Sequence, residues 1–339
     1  MTGAHANNKD IQDVAKEVKI NTVAFYQPDH QVDNQYYIDR YDGLGVDVRG
    51  LIESLGKDTR YIIDNEDENA VTMAIIAAKS ALDKAGLSAE DIDMILFVSQ
   101  TPEYLIPTNA LKIHAAIGGK LTTSCFDLNG NCAGILVAVE QASRNIIANN
   151  YVNRVLVVGA DYISTHSLGE PIFDCNFADS ALAVIVERAE TTGFIDSEYQ
   201  TDTSVIDNAL FPANGLSSWG KPEDGPRMKF EPFDTSAPVG IAVASIERLL
   251  ERNGLTKDDV GSYYLSQFAP GNIEGVVEGL GVDKDKAIYI GDKYGYTSTN
   301  SPFTALYEAI ETGKVSRGDY IVLWTVGAGW QNVSLLFQY

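Results

Sequence analysis

The sequence predicts a duplicated α/β protein in which helices and sheets alternate in five layers, α/β/α/β/α. The chain has 339 residues, which is enough for two fused halves with a large core. Segments 74–93 and 242–261 resemble each other at an offset of 168 residues, and the same offset relates VVGA at 157–160 to TVGA at 325–328. A repeat of about half the chain indicates two similar halves packed together, because a solenoid would have a shorter period.

The first half alternates helical and strand patterns. Apolar spacing predicts a helix over 70–85 that ends before Gly86, and an apolar run predicts a buried strand over 93–99. A second apolar helix is predicted over 133–148, followed by a buried strand over 154–159.

The second half repeats this order. Its patterns predict a helix from Ile241, a strand over 262–265, a helix from Pro302 and a strand over 320–326. Because buried strands that alternate with helices are typical of sheets covered on both faces, we expect mainly parallel sheets.

Two segments interrupt the alternation. Residues 25–60 are irregular and rich in aromatic side chains, and residues 211–238 are rich in Gly, Pro, Ser and Asp and contain Trp219. Both are candidate covers for a pocket, and the second is also a candidate connection between the halves. We place the two halves at residues 1–190 and 191–339.

Composition excludes several function classes. The chain carries 47 acidic and 25 basic side chains, a net charge of -22, which argues against nucleic-acid binding because phosphate contacts need clustered cations. No apolar run of about eighteen residues predicts a membrane span. Cys125, Cys132 and Cys175 form no CxxC motif or Cys/His cluster, so no metal site is expected, and an odd thiol number fits a reducing cytoplasm.

The strongest chemical signal is SCFDLNGNCAGI at 124–135. A short strand meets an Asn–Gly–Asn turn, and Cys132 stands at the start of the following helix. Unpaired N–H groups and the helix dipole favour a thiolate there and lower its pKa. A thiolate is the form that attacks a thioester carbonyl. The alternative is a small structural cysteine that fills a strand–helix junction.

The stretch DLNGNCAGILVAVEQA resembles the active-site segment of ketoacyl-acyl-carrier-protein synthase III, one of the thiolase-like condensing enzymes. GKDTRYII at 56–63, YGYTS at 294–298 and TVGAG at 325–329 resemble further segments of that family. The resemblance implies a thiolase-like duplicated five-layer fold, an acyltransferase and a dimer. It also implies that Cys132 is the acylated nucleophile.

The family's usual site is Cys, His and Asn, and two of these positions differ here. Against the family's His–Gln–Ala–Asn stretch, Gln267 is placed at the His position, and Tyr296 stands where Gly–Asn–Thr–Ser has Asn. Both side chains can donate a hydrogen bond, but glutamine cannot shuttle protons. Backbone N–H groups of Cys132, Gly327 and Gly329 are the expected oxyanion donors.

Glu103 follows the strand predicted over 93–99. It resembles a glutamate that, in relatives joining two acyl chains, reaches the neighbouring subunit's site as base. The alternative for Glu103 is a solvated loop carboxylate.

The resemblance implies an acyl-thioester condensing enzyme in fatty-acid, polyketide or related lipid synthesis. Acyl-CoA or an acyl carrier protein is the expected thioester partner, with no permanently bound cofactor. The family's Trp and Arg that clamp coenzyme A fall at Gly50 and Ser54, so the mode of binding stays open. A homodimer is expected, and a hetero-complex with another ketosynthase-like chain stays open. The alternatives are a catalytically impaired subunit of such a complex and a lipid-binding module.

Overall fold

The computed structural model describes residues 17–167, 169–191, 193–218 and 228–339. The strands are β1 (Glu17–Tyr26), β2 (Gln31–Asp33), β3 (Thr59–Tyr61), β4 (Met94–Val98), β5 (Ser124–Leu128), β6 (Arg154–Asp161), β7 (Ser180–Ala189), β8 (Phe194–Thr201), β9 (Ala209–Leu210), β10 (Lys229–Phe230), β11 (Val260–Leu265), β12 (Tyr320–Gly327) and β13 (Gln331–Gln338). The helices are α1 (Asn34–Asp42), α2 (Arg49–Leu55), α3 (Ala70–Ala85), α4 (Asn109–Ile117), α5 (Gly134–Ala148), α6 (Pro171–Asp174), α7 (Pro238–Arg252), α8 (Pro270–Leu280), α9 (Gly291–Tyr294) and α10 (Ser301–Glu311).

Two mixed sheets form the frame. The first has the order β1-β7-β6-β4-β5 and the second the order β11-β12-β13-β8. Strand β4 is parallel to β5 and β6, and β11 is parallel to β12, whereas the remaining pairings in these two sheets are antiparallel. The prediction of mainly parallel sheets is therefore wrong. The sequence patterns did not predict strands β1, β7, β8 and β13. Because antiparallel neighbours can be joined without a crossover helix, the alternation of helices and strands does not reveal them.

Three apolar clusters hold five layers together. The central cluster joins inward side chains of both sheets to α5 and α10, including Leu136 and Phe303. Helices α3 and α4 cover the outer face of the first sheet, and α7 and α8 cover the outer face of the second. The α/β/α/β/α arrangement is thus confirmed, with α5 and α10 as the shared middle layer.

Most predicted element boundaries hold to within a few residues. Helix α3 has the predicted limits: the Asn69 side chain caps its first turn, and Gly86 ends it at a φ of 64°. The helices predicted from Ile241 and Pro302 begin slightly earlier, at Pro238 and Ser301. Proline at the first turn fits helices whose first N–H groups have no partner anyway.

Residues 25–60 are more ordered than predicted. They contain the end of β1, β2, α1, α2 and most of β3, which pairs with β2, and their apolar side chains pack around Tyr37, Tyr41 and the buried Cys175. This segment forms a small satellite core.

The change of sheet falls close to the proposed boundary between the halves. Strand β7 ends at Ala189 in the first sheet, and β8 starts at Phe194 in the second. The division at residue 190 stays a prediction, supported by this turn. In the described part of the chain, no helix is both long and apolar enough to cross a bilayer.

Candidate active site

Cys132 lies in a tight turn between β5 and α5. Asn131 has a φ of 42°, a short 3₁₀ turn runs over Asn131–Ala133, and α5 begins at Gly134. A side chain at position 134 would come within 2.5 Å of Val98 and 2.7 Å of the Thr299 hydroxyl, so only glycine fits. The turn therefore holds Cys132 at the N-terminus of a buried helix in the middle layer, as the sequence predicts.

The thiol faces a cavity of about 370 Å³. Its walls are mainly apolar and aromatic, and they include Phe173, Phe233 and Trp330. Cys132 is partly accessible and lines this cavity. Among the described residues, none from 25–60 lines this space, so the expectation that this segment covers the pocket is wrong.

The segment 211–238 does cover the cavity, as expected, in its described parts. Phe211, Met228, Phe230 and Phe233 all contribute to the wall. The rings of Phe230 and Phe233 are 5.3 Å apart, and Phe233 meets Trp330 edge-on at 5.0 Å. Trp219, noted in the sequence, lies outside the described residues.

Burial raises the pKa of the Cys132 thiol, and the nearby Asp161 carboxylate raises it further. Hydrogen bonding from the hydroxyls of Tyr296 and Ser298 acts in the opposite direction. The Cys132 Sγ lies 3.9 Å from the Ser298 Oγ. The lowering of the pKa predicted from the helix N-terminus is thus outweighed by burial, and thiolate formation depends on these neighbours.

Tyr296 lies against Cys132, as the sequence predicts. Its side chain is fully buried, packs edge-on against Phe177 and Phe268 at 4.9 and 5.3 Å, and lines the cavity. Burial holds the pKa of its hydroxyl well above the usual value, and the neighbouring Cys132 adds to this. Tyr296 is therefore a proton-bearing hydroxyl donor beside the thiol, and it cannot act as a base at neutral pH.

Gln267 does not face the cavity. Its Nε2 donates to the carbonyls of Leu265 and Ile288 at 2.9 and 3.1 Å, and its Oε1 accepts from the Ile290 N–H at 2.8 Å. Because the buried amide is saturated by main-chain groups, it has no donor left for a substrate. The structure places Gln267 behind the site, where it ties the loop after β11 to residues 288–290.

Ser266, which the sequence interpretation missed, faces the cavity instead. Its hydroxyl is buried with no hydrogen-bond partner in the described structure, and it lines the same space as Cys132 and Tyr296. A buried polar atom without a partner is costly, so this hydroxyl is suited to a substrate oxygen. If Gln267 is aligned with the Gln of the family's His–Gln–Ala–Asn stretch, Ser266 falls at the His position. That alignment would have identified Ser266 from the sequence.

The glycine-rich turn after β12 packs against the Cys132 turn. Gly327 lies beside the Asn131 side chain, which any Cβ at position 327 would overlap, and the Asn131 Nδ2 donates to the Ala328 carbonyl at 3.4 Å. Gly327 lines the cavity, and Gly329 has a φ of 77° that favours glycine. The turn is thus adjacent to the Cys132 turn, and the oxyanion role of its N–H groups stays a prediction.

Glu103 does not line the cavity of its own chain. It is exposed in the loop between β4 and α4. Burial raises the pKa of the Tyr162 phenol, and the carboxylates of Asp179 and Glu103 add to this. The neighbouring Leu105 and Ile106 are 64% and 90% exposed. The role of Glu103 as a base in the neighbouring subunit's site stays a prediction. In the described part of the chain, no group of three or more His, Cys, Asp or Glu side chains is arranged to hold a metal ion.

Family models match both halves of the chain. Residues 126–203 match the 3-oxoacyl-[acyl-carrier-protein] synthase III family, and residues 250–339 match its C-terminal part. The beta-ketoacyl-[acyl-carrier-protein] synthase III of Chlorobium luteolum is 30% identical over 342 residues, covering 94% of this chain and 99% of the relative. The enzyme of the same name from Agrobacterium fabrum is 30% identical over 297 residues, covering 85% and 90%.

Solved structures agree on the fold. The 3-oxoacyl-[acyl-carrier-protein] synthase III of Aquifex aeolicus is 26% identical with a TM-score of 0.80, covering 95% of this chain and all of that one. The priming β-ketosynthase of the R1128 polyketide pathway has a TM-score of 0.86 at 22% identity, covering 96% of both chains. OleA of Xanthomonas campestris has a TM-score of 0.82 at 18% identity, covering 95% and 99%. The chain belongs to the beta-ketoacyl-[acyl-carrier-protein] synthase III family of thiolase-like condensing enzymes.

Proposed function

We propose that Cys132 takes the acyl group from an acyl thioester and holds it in the aromatic cavity until a second thioester attacks it. The observation that carries this proposal is the position of the thiol, which meets an apolar space of about 370 Å³ at the head of a buried helix. An apolar cavity favours a hydrocarbon chain over a polar substrate. The helix N-terminus stabilises negative charge as the tetrahedral intermediate forms.

The donors for the second thioester are the hydroxyls of Ser266 and Tyr296. Both line the cavity beside Cys132, and both carry a proton at neutral pH. They would stabilise the enolate oxygen that develops as the new C–C bond forms, in place of the family's His and Asn. Gln267 is a positioning residue in this proposal, because its amide fixes the backbone that carries Ser266.

The partners are acyl-CoA or an acyl carrier protein, and the product belongs to fatty-acid, polyketide or related lipid synthesis. The R1128 relative is a priming β-ketosynthase of a polyketide pathway. The structure of OleA contains bound lauric acid and lauroyl-CoA. Their names support thioesters of a carrier as the substrate class for this chain. No permanently bound cofactor is needed, because both steps use only the thioester and protein hydroxyl, thiol and carboxyl groups.

We also propose a homodimer in which Glu103 of one subunit reaches the site of the other as base. The loop that carries Glu103 has exposed apolar side chains at Leu105 and Ile106. The adjacent strand β5 is the edge of its sheet, with Phe126 41% exposed. An exposed apolar patch beside an open strand edge favours association of two chains.

Acylation is tested by mass spectrometry after incubation with acyl-CoAs of two to twelve carbons. We expect an adduct of the acyl mass on the peptide that contains Cys132, and none in Cys132→Ala. Cys125→Ala, at a thiol outside the cavity, is the matched control and keeps the adduct. Absence of any adduct on Cys132 with every donor contradicts the proposal and favours a non-catalytic subunit.

The role of Glu103 is tested with mixed dimers. Cys132→Ala and Glu103→Gln chains, each inactive alone, are co-expressed with different tags and purified as the heterodimer. If Glu103 acts across the interface, the Glu103 of the first chain serves the Cys132 of the second, and condensing activity returns at one site per dimer. Full activity of Glu103→Gln alone, or no recovery in the mixed dimer, contradicts this role.

A further inference from the structure

Seven aromatic rings form one continuous chain along the wall of the cavity. All of them line the cavity, and the centroid of each ring lies 6.5 Å or less from that of the next. They come from separate segments of the sequence, so only the fold brings them together. These rings, the aromatic belt, are in order along the wall Tyr296, Phe268, Phe177, Phe173, Phe230, Phe233 and Trp330.

Both ends of the belt lie next to the Cys132 turn. At one end, Tyr296 belongs to the apolar cluster against which Cys132 packs. At the other end, Trp330 directly follows the glycine-rich turn, in which Gly327 lies beside the Asn131 side chain. Because Cys132 lines the same cavity, an acyl group on its sulfur extends into the space that the belt lines.

The rings of the belt hold one another in fixed orientations. The planes of Phe173 and Phe230 are 84° apart, and those of Phe233 and Trp330 are 82° apart. Aromatic rings prefer such edge-to-face pairs, because the positive edge of one ring meets the negative face of the other. Aliphatic side chains, Met228 among them, fill the rest of the wall. The belt is therefore a rigid surface that offers ring faces and edges to a ligand.

We propose that the cavity selects acyl thioesters that carry an aromatic ring close to the carbonyl, such as arylacetyl and 3-arylpropanoyl groups. The ring must be close because the belt begins beside Cys132. This inference rests on the proposed role of Cys132 as the acyl-accepting nucleophile, and it names the class of acyl group. In the transfer, the Cys132 sulfur bonds to the acyl carbon, the bond from that carbon to the carrier sulfur breaks, and the thiol proton leaves on the carrier thiol.

Two physical effects distinguish a phenyl group from its saturated counterpart, cyclohexyl, and they have opposite signs. Cyclohexyl has the larger apolar surface, so a cavity that is merely apolar favours it. Phenyl adds edge-to-face contacts with the belt, and each such contact is worth about two- to tenfold in affinity beyond the burial of area. The sign of the preference therefore shows which effect governs this cavity.

The test is isothermal titration calorimetry of matched thioesters with Cys132→Ala, which binds without reacting. Phenylacetyl-CoA is compared with cyclohexylacetyl-CoA, and 3-phenylpropanoyl-CoA with 3-cyclohexylpropanoyl-CoA. Since the coenzyme A part is the same in each pair, the ratio of dissociation constants reports on the acyl group. We expect the phenyl compound of at least one pair to bind about fivefold more tightly. A preference below about twofold in both pairs, or no binding of any of the four, overturns the inference.

Two variants in the Cys132→Ala background locate the source of the preference. Phe233→Leu and Phe230→Leu each keep a large apolar side chain at a partly buried position and remove one ring from the belt. Each should lower the phenyl preference by about twofold or more. Phe25→Leu is the matched control, because its ring is also partly buried and lies 5.3 Å from that of Tyr294 but does not line the cavity. An undiminished preference in both belt variants contradicts the belt as its source.

Acylation of the wild-type protein by the same thioesters separates this inference from the proposed function. A protein that prefers the phenyl compounds in calorimetry but forms no acyl adduct on Cys132 keeps the aromatic preference and loses the function. A protein that forms adducts but binds the cyclohexyl compounds as tightly as the phenyl ones keeps the function and loses the inference.

Discussion

The chain carries the same dipeptide, Ser–Gln, after two corresponding strands, but the serine and the glutamine exchange roles between the two copies. Ser99–Gln100 follows β4 in the first half, and Ser266–Gln267 follows β11 in the second, 167 positions later. In the first copy the serine donates a hydrogen bond to Asp161, and the glutamine donates one to Ser298, which lies beside Cys132. In the second the serine is free in the cavity and the glutamine is bound to the backbone.

The difference lies in what each loop faces. Position 161, at the end of β6, supplies a carboxylate that accepts a hydrogen bond from Ser99, whereas the corresponding position in the second half, 168 residues later, is Gly329, which has no side chain. The second serine is therefore left for a substrate. The comparison teaches that a duplicated sequence yields a one-sided site when a single polar residue is present in one half only.

The largest expected effect is on turnover, at Ser266. Ser266→Ala removes a donor to the developing enolate, and loss of one such donor costs about 10²- to 10³-fold in kcat. Because its hydroxyl has no partner, the free energy of unfolding should change by less than about 0.5 kcal/mol. Ser99→Ala, the matched change in the first half, should instead lower stability by about 1–3 kcal/mol, since the buried Asp161 loses a partner. Steady-state assays measure kcat and urea titrations measure the free energy of unfolding of the two variants. Equal losses of stability in Ser266→Ala and Ser99→Ala would contradict the difference between the two serines.

The next effect is on stability, at Gln267. Gln267→Leu removes three hydrogen bonds to main-chain groups and should cost about 3 kcal/mol. Gln100→Leu, at a partly buried amide, should cost about 1 kcal/mol. Urea midpoints of the two variants test this order. If Gln100→Leu lowered the urea midpoint more than Gln267→Leu, the structural role assigned to Gln267 would be wrong.

The smallest expected effect is on the pH dependence of stability, and it comes from a lysine that contacts the loop after β11. Lys57, between α2 and β3, is buried against this loop and donates to the carbonyls of Gln267 and Phe268 at 2.7 and 3.2 Å. Burial, assisted by the charge of Arg60, holds the pKa of its ammonium well below the usual value. The folded protein thus binds this proton less tightly than the unfolded chain, so this residue makes stability rise with pH between the folded-state pKa and the ordinary value.

Lys57→Met should therefore flatten the rise in the urea midpoint between pH 7 and pH 9.5. Lys84→Met, at a surface lysine paired with Glu311, is the control and should keep the wild-type rise. If Lys57→Met and Lys84→Met gave the same pH dependence as wild type, Lys57 would not carry this linkage.

The sequence by itself determined the duplicated architecture, the helix limits at Ala70 and Gly86, and the place of Cys132 at a helix start. These features come from local signals: apolar spacing, capping residues and a glycine-rich turn act over a few neighbouring residues. The five-layer fold and the family followed from these signals and from the resemblance.

Only the tertiary structure decided which of Ser266 and Gln267 faces the cavity, and that Asp161 lies behind the thiol. Successive side chains at the end of a strand point to opposite sides, so a shift of one position in alignment exchanges a donor for a structural amide. Asp161 and Ser298 meet Cys132 from distant parts of the chain, and such contacts leave no local pattern. The same holds for strand direction, because β1, β7, β8 and β13 pair through space with partners that their own sequence does not name.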